Sequence, residues 1–157
     1  MSTLNIRFVV AMFVVLAFTI LPLPELMAAY RPPWVLLFVL YIQFFLPHYF
    51  RVTWLFLLGM SLDVLLASVM GEHTFALLLT SWLASTKARR FHFFSPAQQM
   101  LFMVLFCSIY ELVLASIDGF LGYHNGFFFA AGTLLTSVLF WPWMKLLADH
   151  MLVPRLR

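Results

Sequence analysis

The chain alternates long apolar runs with short breaks, and most of its charged residues fall in the breaks. Hydrophobic residues make up 64% of the sequence and charged ones 10%, against roughly 45–50% and 25% in ordinary globular domains. A soluble domain of 157 residues has no core large enough to hide that much apolar surface. A bilayer accepts it. The sequence therefore predicts an all-α, polytopic membrane bundle, with residues 1–157 forming one integral membrane domain. The net charge of +3 does not indicate a nucleic-acid partner, because the basic residues sit in loops and form no surface stripe.

Six transmembrane helices are predicted, over about 8–21, 33–46, 52–70, 74–85, 98–116 and 127–147. A typical span needs about 20 apolar residues. The third, fifth and sixth runs meet that easily. The first, second and fourth are short, so they borrow flanking residues or cross where the bilayer is thin, and a re-entrant segment is the rival for the fourth. Orientation provides an independent test. With six crossings and both termini cytoplasmic, Arg7, Arg51, Lys87, Arg89, Arg90, Lys145, Arg155 and Arg157 face the cytoplasm. The other side receives Arg31 with Glu25, Glu72 and Asp118. Positive loops stay inside, and removing the fourth span would strand a basic cluster outside.

Aromatic residues match these boundaries. Tyr30, Trp34 and Tyr123 fall at the outer interface, and Tyr49, Trp54, Trp82, Trp141 and Trp143 at the inner one, where amphipathic rings prefer to lie. Pro142 is expected to bend or end the sixth helix. The first run imitates a secretory signal, but the candidate cleavage region Leu26-Met27-Ala28-Ala29 lacks a small residue three before the cut, so it reads as a retained helix. The single cysteine, Cys107, permits no intrachain disulfide and reads as a packing residue.

Two acids lie within predicted spans, Asp63 and Glu111. An Asp at a helix centre costs about 2.5–3.5 kcal/mol on insertion scales, so it must face protein or water and find a partner. Gly59, Asp63, Ala67 and Gly71 recur every four residues, which places them on one helix face if the helix runs through. Small residues along a face admit close approach of another helix. Asp63 reads either as a structural acid satisfied inside the bundle, as a grip on a partner or ligand, or as a proton-coupling group. Glu111 reads equally as a carboxylate reaching the outer interface. Arg31 pairs with Glu25, Asp63, Glu111 or Asp118, or touches a partner or lipid headgroup; the sequence does not choose. It precedes Pro32-Pro33-Trp34, prolines suited to a first helical turn.

No chemistry of catalysis is legible. His48, His73, His92, His124 and His150 fall in predicted loops or interfaces without ligand spacing, so no metal site is expected. No nucleophile–base pair and no phosphate-cradling loop is present, so neither a catalytic residue nor a cofactor is expected. Lys87-Ala88-Arg89-Arg90 reads first as a topology signal, and second as a cytoplasmic docking patch or anionic-lipid contact.

The stretch Tyr30-Arg31-Pro32-Pro33-Trp34-Val35-Leu36-Leu37, then Leu46-Pro47-His48, then Gly59 through Asp63 to Gly71, resembles the MreD family of rod shape-determining membrane proteins. The ending Trp141-Pro142-Trp143 with a basic tail is similar to it as well. The nearest likeness covers roughly residues 30–84; the fifth span and the 118–126 loop carry no matching signature. The resemblance implies a six-helix fold shared with the substrate-binding subunits of energy-coupling-factor transporters, with no catalytic activity or cofactor. It implies binding to MreC, and through it connection to MreB, to RodA and to its class B penicillin-binding transpeptidase. Arg31, Trp34, Gly59 and Asp63 are its family-motif residues here.

The expected function is thus a non-catalytic inner-membrane scaffold of the cell-elongation complex, maintaining rod shape and directing lateral peptidoglycan synthesis, with MreC and membrane lipids as partners. The Gly59–Asp63–Ala67–Gly71 face is the preferred partner surface. The alternative is a small-molecule or lipid-binding transporter subunit, for which the spans offer few polar groups: Gln43, Asp63, Glu111, Thr133, Thr136 and Ser137.

Overall fold

The computed structural model describes residues 3–20, 32–91, 93–122 and 127–152. These form helices α1 (Thr3–Ile20), α2 (Trp34–Phe45), α3 (Val52–Leu65), α4 (Glu72–Ser85), a four-residue α5 (Ala88–Phe91), α6 (Pro96–Leu121) and α7 (Phe127–Leu152). No strand occurs among the described residues. The chain is all-helical, with six long helices among them.

Helix α2 organises the packing. Ten consecutive residues, Val35 to Phe44, are buried on every side of it, as befits a helix that is apolar all round. Its neighbours are α1, α4, α5 and α7; α3 pairs with α4, α4 with α6, and α6 with α7. Prolines set its short length. Pro33 stands at its N-cap, and Pro47 follows the C-cap Leu46, whose N–H still reaches the Ile42 carbonyl at 2.8 Å. Twelve residues rise about 18 Å, well short of the roughly 30 Å hydrocarbon core. The shortest of the six long helices thus forms the centre of the bundle.

Helix α6 is the opposite case. Ser95 and Gln98 form a reciprocal capping box and Pro96 opens the helix, which runs 26 residues to a C-cap at Gly122. Among the described residues it alone is both long and apolar enough to cross a membrane by itself; Ile6–Ile20, Trp34–Phe45 and Val52–Leu65 are shorter apolar helices. Large side chains cover the outside of the bundle: Phe13 on α1, Val64 on α3, Leu101 and Leu112 on α6, and Leu135, Leu139 and Trp143 on α7 are each more than 60% exposed. An apolar perimeter spread over four helices fits a lipid environment.

Three details depart from expectation. Helix α3 stops at Leu65, because the chain turns: the Ser68 N–H returns to the Asp63 carbonyl at 3.1 Å, and Ala67 adopts φ 49°. Ala67 and Gly71 therefore lie beyond the helix, and the four-residue recurrence is not one helical face. Helix α7 continues through Pro142 to Leu152, so of the two expected effects, a bend or an end, the end does not occur. Trp141 is 2% exposed and packs edge-on to Phe91, which makes it a core residue instead of an interfacial one.

Phe91 also explains the basic segment. It is fully buried and stacks on Phe44 with ring centroids 3.9 Å apart. Lys87, just before α5, and Arg90, within it, remain at the exposed surface. One aromatic anchor pins the cationic turn to the bundle.

Candidate functional site

The α3–α4 hairpin is built around Asp63. Gly59 lets the two helices touch: a Cβ there would overlap the Thr74 backbone and stand 2.7 Å from its hydroxyl. One turn further along α3, Asp63 is 1% exposed and lies over the start of α4. Its Oδ2 accepts the Gly71 N–H and the Thr74 hydroxyl, each at 2.9 Å. Its Oδ1 accepts the His73 N–H at 2.8 Å, with the His73 Nδ1 at 3.1 Å and the Ser68 hydroxyl at 3.4 Å. A carboxylate over a helix N-terminus satisfies the orphan N–H groups there and complements the macrodipole. Gly71, at φ 95°, supplies the left-handed residue that aims its own N–H at the acid.

Beside this hairpin a cavity of about 120 Å³ opens among five segments. Its polar rim comes from Thr19 at the end of α1, Trp34 at the start of α2, His73, and Tyr110 and Glu111 of α6; Leu62, Leu66, Leu114, Val35 and Leu36 form the apolar wall. Trp34 is held between Phe18 and Phe140, with ring centroids 5.7 and 5.0 Å away. The Thr133 hydroxyl of α7 bonds the Glu111 carboxylate. The Tyr110 ring lies 6.4 Å from the His73 ring, so cavity and acid cap share the histidine.

Glu72 and His73 stand outside the predicted spans and open the first turn of α4. Glu72 is 7% exposed. Burial, reinforced by the Asp118 carboxylate, pushes its carboxyl above the ordinary range. Burial holds the His73 imidazole below its ordinary value, although Asp63 pulls the other way.

At the opposite end, the Tyr41 hydroxyl donates to Asp149, and Lys145 lies 4.8 Å from the centre of the Phe45 ring and 3.4 Å from the Gln99 carbonyl oxygen. Between the two ends, Gln43 of α2 and Ser81 of α4 bond reciprocally at 2.8 and 3.2 Å.

The structure thus brings Gly59, Asp63 and Gly71 together in one hairpin, and Trp34 and Glu111 onto one cavity. Ala67 sits exposed in the turn. Arg31 lies outside the described residues, as do Glu25, Tyr30, Tyr123, His92, His124, Arg155 and Arg157. His73, Thr74 and Tyr110 carry the site but were not legible as members of it. The one available signal was Gly71, a turn residue that folds positions 73 and 74 back onto position 63. Among the described residues, no three His, Cys, Asp or Glu side chains converge as metal ligands.

No solved structure matches the chain. The Rod shape-determining protein MreD of Haemophilus influenzae is 29% identical over 150 residues, which cover 90% of this chain and 91% of that protein. A family model for rod shape-determining protein MreD matches residues 2–151, nearly end to end, and the apolar perimeter is what a membrane protein of the cell-shape system requires. The chain belongs to the MreD family of rod shape-determining proteins.

Proposed function

We propose that the protein is a non-catalytic, multi-pass scaffold of the inner membrane that binds MreC and holds the elongation machinery in register across the bilayer, directing lateral peptidoglycan synthesis. Family membership over residues 2–151 carries this reading. MreC is the direct partner; MreB, RodA and its class B transpeptidase connect through it. The chain crosses six times with both termini in the cytoplasm, a topology supported by eight basic residues against Arg31 alone on the other side. Kinship with the substrate-binding subunits of energy-coupling-factor transporters rests on the family resemblance.

Within this scaffold Gly59, Asp63 and Gly71 act structurally. Their contacts are made inside the chain, with Thr74, His73 and each other, so they shape the surface offered to a partner without forming it. The apolar perimeter of α3, α6 and α7 supplies that surface, where helix association rests on van der Waals fit. Trp34 lies at the outer end of the contact.

The carrier alternative is weaker on one magnitude. A cavity of about 120 Å³ is well below the roughly 300–1,000 Å³ of pockets that enclose drug-sized ligands. Depletion in a rod-shaped host distinguishes the two. Rounded cells that still take up nutrients support the scaffold; normal shape with a new nutrient requirement overturns it.

A further inference from the structure

The cavity beside the acid cap has the chemistry of a cation site. One carboxylate, Glu111, lines it together with the Trp34 indole, the Tyr110 ring and the His73 imidazole, and none of the described residues that line it is a lysine or arginine. Tyr110 is 4% exposed and borders the cavity. Its phenol oxygen can accept a hydrogen bond from a group that enters the cavity. A carboxylate flanked by aromatic faces recognises an ammonium group by charge-assisted hydrogen bonds and by attraction to the ring quadrupoles.

Size and position narrow the ligand. A cavity of about 120 Å³ has room for several waters. That admits an ammonium group with the carbons next to it. The lining comes from the end of α1, the start of α2, the end of α3 with the turn after it, the first turn of α4 and residues 110–114 of α6. The cavity therefore sits toward the end of the bundle that holds the α3–α4 turn, which on the proposed six-crossing topology is the outer end.

We propose that this cavity binds a primary ammonium group, carried by an amine-headed phospholipid or by a free small amine, with Glu111 as counter-ion, Tyr110 as hydrogen-bond acceptor and Trp34 as aromatic wall. This assignment does not depend on the scaffold role.

The test uses the full chain in nanodiscs containing equal amounts of phosphatidylethanolamine and phosphatidylglycerol, followed by native mass spectrometry of the retained lipid. The wild type should retain the amine lipid over the glycerol lipid by about tenfold, the worth of one charge-assisted hydrogen bond. Glu111→Gln keeps the volume, removes the charge and should abolish the preference. Tyr110→Phe, which keeps the ring, should reduce it part-way, and circular dichroism confirms that both variants are folded. Ethylammonium is then titrated against the retained lipid. Displacement identifies the ammonium alone as sufficient, and retention of the lipid identifies the bilayer-tethered form as the ligand; both outcomes support the site. Equal retention of the two lipids by wild type, with no effect of ethylammonium, overturns it. So does an undiminished preference in folded Glu111→Gln.

Discussion

Asp63 is the residue on which the hairpin turns. It accepts two backbone N–H groups and a hydroxyl in a place without bulk water. Asp63→Asn removes the charge and one acceptor site, leaving a buried donor unpaired, so the melting temperature in detergent should fall by the equivalent of about 1–3 kcal/mol. Gly59→Ala should cost a similar amount, about 1–3 kcal/mol, because its Cβ meets backbone at Thr74, which cannot rotate aside. An unchanged melting temperature in either variant would mean that the hairpin does not close this way. Ala67 holds φ 49°, so Ala67→Gly should be neutral or raise the melting temperature, and Ala67→Val should lower it. Glu72 gives a pH signature. Its folded-state pKa is raised, so folding favours the protonated form; its contribution is fully present below the ordinary value of 4.5 and is lost as pH rises through the folded value. Glu72→Gln should therefore raise the melting temperature at pH 7–8 and leave it nearly unchanged at pH 4. The reverse order would place the Glu72 carboxylate in a favourable charged contact.

At the scale of elements, each helix end has a local cause. Ser95 and Gln98 start α6 through a capping box, and Ser95→Ala should cost about 1 kcal/mol. Short α5 has too few residues to be stable alone and stays folded because Phe91 is clamped between Phe44 and Trp141. Phe91→Ala should cost about 3–5 kcal/mol and release the basic turn. Trypsin cleavage after Lys87 and Arg90 should then accelerate in detergent while sites at Arg7 and Arg51 keep their rates. Equal rates in variant and wild type would show that the turn is held by something other than this ring.

For the molecule as a whole, the proposed crossing pattern puts the two ends of α4 on opposite faces of the membrane. Reporter tags inserted after Gly71 and beside Arg90 should report opposite compartments; the same compartment for both would reduce the chain to five crossings. The large apolar perimeter on four helices also predicts that the protein without detergent or lipid aggregates, and that added lipid raises its melting temperature.

The apolar runs and their charged punctuation were sufficient to specify an all-helical chain with six long helices and the family to which it belongs, because hydropathy and breaker residues act locally. The residues of the site were only half legible on the same basis. Asp63 and Glu111 stand out in apolar runs since a buried acid is costly wherever it lies. Their surroundings come from distant parts of the chain: Thr74 and His73 reach Asp63 only after the 66–71 turn, and Trp34 meets Glu111 only once α2 and α6 border the same space. Burial of the short α2 at the centre, the ending of α3 before Ala67 and the recruitment of Trp141 into the core were likewise decided in three dimensions. Packing selects which apolar helix faces protein and which faces lipid, and a run of leucines and phenylalanines suits either.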